Sequence, residues 1–148
     1  MPNAGIKPVS LPYQVRVPAT SQSATAQKIY FATNQQMFDQ TQPSGVGPGG
    51  WAAAVDELSG ALLPSATTLS RMSARLNLAM PSGQSMTLKL VGNSGSGFVD
   101  LGPTLVFTDA TPVDAVSFGP LALNAAVEVA VVITVSDTIE RLLSVSLD

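Results

Sequence analysis

The chain has 148 residues, enough for one domain that buries an apolar core without a disulfide or a metal. It contains no Cys and no His, which excludes thiol and imidazole nucleophiles and the usual zinc ligands. The formal net charge is −3, and the seven Lys and Arg form no basic stripe, so no nucleic-acid partner is expected.

Only 11% of the residues are charged. A surface with so few ions suits contact with neighbouring proteins, because few charges would have to be desolvated. The alternative is a soluble monomer that Ser, Thr, Asn, Gln and Gly keep hydrated. The start "MPNAGIKPVSLPYQV" lacks the pattern of a secretory signal, and the longest apolar run, 129–133, is far short of the ~20 residues that span a bilayer. We therefore expect synthesis in a cytoplasm and no insertion into a membrane.

Residues 1–27 predict an extended arm, because recurring prolines prevent a sustained helix. Apolar residues alternate along it, so one face of the extended segment would lie on an apolar surface. These predicted partner-binding residues are Val9, Leu11, Tyr13, Val15 and Val17. A disordered tail is the alternative. The arm would precede a folded domain over residues 28–148.

The first half of that domain predicts short strands and loops. A strand is expected from Lys28 to Thr33, and "TQPSGVGPGG" is expected to be a loop because it is rich in Gly and Pro. The glycines of this loop lack the spacing of a phosphate-binding motif. Residues 51–64 fit either a short helix or a strand, since apolar residues recur there at helical spacing before Gly60 and Pro64.

Later segments alternate apolar and polar residues more clearly. Residues 72–80 and 86–90 flank a "PSGQ" turn and predict a β-hairpin. A strand over 98–107 is interrupted at Gly102-Pro103, which indicates a bulge, an edge or a crossover. A short strand with Val116 and Phe118 in register follows.

The end of the sequence, "NAAVEVAVVITVSDTIERLLSVSLD", predicts two strands. The inward face of the first carries Val127, Val129, Val131, Ile133 and Val135, and that of the second carries Ile139, Leu143, Val145 and Leu147. Arg141 falls on the same register, which indicates a bulge or an exposed strand end. The opposite face of the first strand holds Ala130, Val132 and Thr134. Because a strand that is apolar on both faces is covered twice, these three residues either lie in the core of a monomer or form an oligomer interface.

The ten acids suggest no catalytic set. Asp109 and Asp114 flank one turn, but the repeated oxygen-ligand spacing of a calcium loop is missing, and no pair of carboxylates is placed across a cleft. No serine lies in a nucleophile elbow. We predict that the protein is not an enzyme and uses no cofactor and no metal.

About six to eight short strands, with frequent turns and no βαβ alternation, predict an all-β fold. The expected architecture is an antiparallel β-sandwich of jelly-roll type with an extended N-terminal arm.

From Leu63 onward the chain resembles small jelly-roll structural proteins of tailed bacteriophages, namely capsid decoration (cement) proteins and fibre-head domains. The resemblance lies in the runs "LPSATTLSRMSARLNLAMPSGQSMTLKLVGNSG", "TLVFTDATPVDAVSFGPLALNAAVEVAVVITVS" and "LLSVSLD". It implies a trimer on the exterior of a virion, bound to the major capsid protein, with no catalysis. The alternative is a receptor- or glycan-binding domain of a tail or head fibre, with Trp51 and the 109–114 turn as its binding residues.

Overall fold

The computed structural model describes residues 28–111, 113–117, 120–125 and 127–148, and for residues 115–117 the backbone alone. Within these ranges the fold is all-β, and the one helical element is a single 3-10 turn at Val55–Glu57. The strands are β1 Ile29–Ala32, β2 Gln36–Phe38, β3 Ser44–Gly47, β4 Gly50–Ala52, β5 Ala61–Leu62, β6 Thr67–Leu69, β7 Met72–Leu76, β8 Ser85–Asn93, β9 Phe98–Thr108, β10 Asp114–Ser117, β11 Leu121–Leu123, β12 Glu128–Val135, β13 Ile139–Arg141 and β14 Leu143–Leu147. The predicted arm lies outside the described residues.

Two antiparallel sheets contain most of the strands. The four-stranded sheet has the order β1-β14-β7-β10, and the six-stranded sheet has the order β4-β3-β12-β8-β9, with β5 also paired to β12. Two short ribbons, β6–β11 and β2–β13, accompany them. Strands from the end of the chain therefore lie inside both sheets, since β14 pairs with β1 and β7, and β12 pairs with β3, β5 and β8.

The inner faces of the two sheets share one apolar core. From the six-stranded sheet it receives the inward residues of β8, β9 and β12, and from the four-stranded sheet those of β1, β7 and β14. Its largest fully buried side chains are Phe31, Phe38, Phe107, Leu63, Leu69, Met72, Leu76, Met86, Leu88, Leu90, Ile133 and Leu143. The strand-period alternation predicted these inward positions for β7, β8, β12 and β14 because each strand has one face on this core.

The predicted hairpin between residues 72–80 and 86–90 is wrong. β7 pairs with β14 and β10, whereas β8 pairs with β12 and β9 in the other sheet. The "PSGQ" turn does form, with the amide of Gln84 donating to the carbonyl of Pro81 over 3.1 Å. It carries the chain from one sheet to the other, and the alternation of two adjacent segments does not distinguish these two outcomes.

Arg141 sits at the end of β13, where the ladder is interrupted before β14 begins. Its guanidinium donates to the carbonyl oxygens of Leu78 and Ala79, at 3.2 and 2.5 Å. Leu142, next in the chain, is half exposed. The strand end expected from the sequence is therefore present, and Arg141 ties it to the segment that follows β7.

The interruption predicted at Gly102-Pro103 is a bulge in β9. Lys89 pairs with Thr104 and Val91 with Asp100, so residues 101–103 of β9 lie opposite Leu90 alone. Gly102 has φ +109°, a conformation that side chains other than Gly rarely adopt, and its amide donates to the Asp100 carboxylate over 2.8 Å.

The Gly- and Pro-rich segment expected to be a loop contains the buried strand β3. Its glycines let the backbone of another segment lie close to β3, because residues 58–60 cross the outer face of the sheet directly over this strand. A Cβ built on Gly45 would come within 2.7 Å of the Leu58 side chain, and one built on Gly47 would overlap the carbonyl of Ser59. Residues 51–64, for which the sequence left helix or strand open, form β4, the 3-10 turn and then this covering segment.

We expect Gly47→Ala to destabilise the protein by about 3 kcal/mol, since the added methyl must displace the backbone of Ser59 rather than a flexible side chain. Gly49→Ala is the matched control, because a Cβ there meets nothing within 4 Å, and its effect should stay within about 0.5 kcal/mol. Urea unfolding of both variants measures the difference. Equal stabilities would show that segment 58–60 does not press on β3.

Candidate functional site

The candidate interface residues lie on the outer face of the six-stranded sheet, away from the shared core. Ala130 is fully buried there in a small cluster with Leu58 and Val91 of the same chain, and Val132 is half-buried against that cluster. Thr134 is exposed. This chain therefore covers one part of the second apolar face of β12 itself and leaves the part around Thr134 open.

The open part continues across neighbouring strands. The register places Thr134 beside Thr87 of β8, and Thr87 beside Val106 of β9, whose side chain is 45% exposed. One step along the strands, Val132 lies beside Lys89. The result is a row of short, β-branched residues on a sheet surface, a shape that can lie flush against another surface.

A cavity of about 310 Å³ opens where β2, β3 and β4 meet the connection between β12 and β13. Its lining residues are Met37, Asp39, Gln42, Ser44, Trp51, Ala53 and Thr138. We call it the Trp51 cavity. Trp51 pairs with Val46 in the β3–β4 ladder and packs edge-on against Phe38, with ring centroids 6.4 Å apart and planes at 84°. The Trp51 Nε1 is buried and has no acceptor among the described residues, so packing alone positions the indole.

Hydrogen bonds hold the polar wall of the Trp51 cavity. The backbone amide of Gln40 donates to Thr138 Oγ1 and the amide of Thr138 donates to Gln40 Oε1, each over 3.2 Å. Gln42 Nε2 donates to the carbonyl of Ala53 over 3.3 Å. The two hydrogen bonds between Gln40 and Thr138 connect residues 98 apart in the chain, so the wall exists only in the folded protein.

Among the described residues, Asp39 is the one charged residue that lines the Trp51 cavity. Its Oδ1 accepts hydrogen bonds from the amide and the hydroxyl of Thr41, both at 2.8 Å. The backbone hydrogen bond from Thr41 is the main cause that lowers the pKa of Asp39, and the hydroxyl adds to it, so the carboxylate is ionised at neutral pH. Oδ2 has no hydrogen-bond partner among the described residues and stays available to a ligand.

The five basic side chains of the described residues all have partners within the chain. Lys28 and Arg71 pair with Asp148, Arg75 with Asp114, and Lys89 with Asp100, while Arg141 donates to backbone carbonyls. The acids without a basic partner in this part of the chain are Asp39, Asp56, Glu57, Asp109, Glu128, Asp137 and Glu140. The uncompensated charge on the described surface is therefore negative.

The structure does not bring together Trp51 and the 109–114 turn, which the sequence suggested as one glycan-binding set. Trp51 lies on β4 at one edge of the six-stranded sheet, and the turn follows β9 at the opposite edge. Asp109 accepts a hydrogen bond from the Gly83 amide, and Asp114 pairs with Arg75 across the β7–β10 ladder. Within the described ranges no three acids come close enough to hold a metal ion.

Sequence reasoning missed Asp39, Gln42 and Thr138 as companions of Trp51. Asp39 and Thr41 form a local turn that a D-x-T pattern could have indicated. No local signal could have placed Thr138 there, because its position depends on the pairing of β2 with β13.

Two shallower depressions lie elsewhere. One, of about 190 Å³, is on the outer face of the four-stranded sheet beside Tyr30, Arg75 and Asp114. The other, of about 240 Å³, lies near the β9 bulge between Leu101, Val99 and Val127. In the first, the ion pair of Arg75 with Asp114 already occupies the charged groups, so the Trp51 cavity is the better candidate for a ligand.

Among the described residues, no helix is long and apolar enough to cross a membrane. Comparison of the chain with protein-family models, curated proteins and solved structures found no match.

Asp148 joins three strand ends of the four-stranded sheet, where it contacts Arg71 at 2.8 Å and Lys28 at 3.6 Å. The hydrogen bond from Arg71 is the main cause that lowers the pKa of Asp148 below 3.8. The ion pairs of Asp148 therefore contribute their full stabilisation of the folded protein when the pH is above the ordinary pKa of 3.8. This contribution is lost as the pH falls through the lowered pKa of Asp148.

We expect Arg71→Gln to lower the free energy of unfolding at about pH 7 by up to ~1 kcal/mol, because the pair is partly exposed, and to have little effect once Asp148 is protonated. Arg75→Gln is the control, since its pair with Asp114 is more exposed and should contribute less. Urea unfolding as a function of pH measures both. An Arg71→Gln effect that does not change with pH would contradict this account.

Proposed function

We propose that the protein is a jelly-roll structural protein of a virion, which decorates the exterior of a major-capsid shell as a trimer and has no catalytic role. The observation that carries the proposal is the order in which the eight principal strands pair. These strands, in chain order, are β1, β3, β7, β8, β9, β10, β12 and β14.

Their pairing is nested. The first strand pairs with the eighth, the second with the seventh, the third with the sixth and the fourth with the fifth. The eighth then pairs with the third, and the seventh with the fourth, which joins these pairs into two sheets. An antiparallel ribbon of four such pairs, rolled around a core, is a jelly roll, an architecture used by viral capsid and lectin domains. This supports the architecture expected from the sequence.

Because a fold does not specify a function, the role rests on surface properties as well. The chain has few charges, and the basic groups of its described part are paired internally. The outer face of the six-stranded sheet presents the row through Thr134, Thr87 and Val106, which could pack against a second copy at little desolvation cost. We place the trimer contact at this row, with Val132 at its margin; Ala130 lies outside the contact, because Leu58 of the same chain covers it.

The arm would provide attachment to the shell. Its alternating residues Val9, Leu11, Tyr13, Val15 and Val17 suit an extended segment that adds to a sheet edge or an apolar groove of the major capsid protein. Three arms on one trimer would bind far more tightly than one, because the second and third attachments are intramolecular. The protein would be assembled with the virion in the host cytoplasm, without a nucleic-acid or membrane partner.

Thr134→Arg should convert the trimer to monomers without unfolding it, since the new guanidinium would be buried at the contact without a partner. The matched control is Thr68→Arg on β6, which is exposed on the β6–β11 ribbon and should leave the trimer intact. Light scattering of the purified proteins gives the mass. If the wild type is a monomer, the proposed trimer is wrong. If the Thr134→Arg variant is still a trimer, the contact lies at another surface.

Deletion of residues 1–20 should abolish attachment to shells of the parent virus while the remaining protein keeps its melting temperature and its mass as a trimer. Deletion of residues 1–7 is the control, because it leaves the alternating run from Val9 to Val17 intact. Co-sedimentation with shells that lack the protein measures attachment. Undiminished binding by the shorter chain would remove the arm from the mechanism.

A further inference from the structure

We propose that the Trp51 cavity binds the guanidinium or ammonium group of a basic side chain. The proposal stands apart from the capsid assignment, because it rests only on the geometry and charge of the cavity. At about 310 Å³ the cavity is at the small end of the range for ligand pockets, which suits one side chain better than an extended ligand.

The lining groups match the chemistry of an organic cation. The indole of Trp51 offers the aromatic ring type that attracts cations most strongly, and Met37 adds an exposed, polarisable thioether chain. Asp39 supplies a carboxylate whose Oδ2 is free to accept a charge-assisted hydrogen bond. Because the indole and the carboxylate line the same cavity, one guanidinium could contact the indole with its flat surface and the carboxylate with its N–H edge.

The charge around the cavity favours a cation over a neutral ligand. In the part of the chain that the structure describes, its lining includes Asp39 and no basic residue. Asp137 precedes the lining residue Thr138, and Glu140 lies opposite the lining residue Met37 in the β2–β13 ladder. Neither acid has a basic partner among the described residues. A neutral sugar could use the same hydrogen-bonding groups but would leave this negative potential uncompensated.

Two sources could supply the cation. The basic residues of the described part are engaged, and the remaining two of the seven in the chain are Lys7 and Arg16, both in the predicted arm. Arg16 lies within the alternating run, between Val15 and Val17. The other source is a basic side chain on the surface of a partner protein. The ligand chemistry is the same in both cases, and the experiment separates them.

The test uses the full-length chain and the fluorescence of Trp51, which is its sole tryptophan. Nα-acetyl-arginine amide is titrated at constant ionic strength into the wild type and into Arg16→Glu, with Lys7→Glu as the matched control for the arm charge. Nα-acetyl-citrulline amide, an uncharged ligand of nearly the same shape, is the ligand control. Asp39→Asn tests the carboxylate and retains an oxygen that can accept the Thr41 hydrogen bonds. Asp109→Asn, at the opposite edge of the sheet, is its matched control.

In a protein whose cavity is open to the ligand, we expect a saturable fluorescence change with half-saturation in the millimolar range. Adding Asp39→Asn to that protein should weaken binding about tenfold or more, and adding Asp109→Asn should leave it unchanged. If the wild type does not respond and only one of the two arm variants does, the residue replaced in that variant, Arg16 or Lys7, is the native occupant. A response of all three would assign the cavity to a partner's side chain.

The proposal is overturned if no protein responds, if citrulline amide responds as strongly as arginine amide, or if Asp39→Asn, introduced into a protein that responds, leaves its binding unchanged. A saturable response to methyl glycosides without one to arginine amide would also overturn it and would make the cavity a carbohydrate site. Far-ultraviolet circular dichroism of each variant ensures that these comparisons are made between folded proteins.

Discussion

The fold depends on two strands near the end of the chain, β12 and β14, each placed in the interior of a sheet. Their inward residues form the centre of the shared core. Of the other principal strands, β1 and β7 pair with β14, and β3 and β8 pair with β12, while β10 and β9 are attached through β7 and β8. Burial of a Val, Leu or Ile side chain contributes roughly 1.5–3 kcal/mol, so this continuous apolar face is the main stabilising element. Because β14 pairs with β1 and β12 pairs with β3, the two sheets form only through contacts between residues far apart in the chain. The nested order of strand pairing is therefore the constraint on which the rest of the structure depends.

The same constraint explains the unusual second face of β12. An interior strand cannot present a large side chain outward where another segment crosses it, and Ala130 is accordingly small beneath Leu58. Gly45 and Gly47 of the neighbouring β3 permit that crossing at the level of the backbone. Further along, the covering segment ends and Thr134 emerges. The outer face of β12 is therefore covered by the same chain at Ala130 and exposed at Thr134.

The Trp51 cavity is a second consequence of the pairing between early and late strands. Its walls come from the first strands of the domain and from the connection after β12, and the β2–β13 ribbon holds them together. Since the internal ion pairs leave the described surface with uncompensated acids, a cavity at this edge acquires a negative character without a dedicated acidic motif. Shape and charge at this site thus arise from the fold as a whole.

The sequence by itself determined the all-β class, the inward faces of β7, β8, β12 and β14 and the presence of an interruption at Gly102-Pro103, because each of these is set by alternation or by one residue's conformational range. That the interruption is a bulge was decided by the pairing of β8 with β9. It did not determine which strands are neighbours. Thus the segment after β7 proved to be a crossing between sheets, and the glycine-rich segment proved to be the buried strand β3. Only the tertiary structure decided these points and brought Asp39, Trp51 and Thr138 together, because strand pairing and cavity walls depend on contacts between residues far apart in the chain.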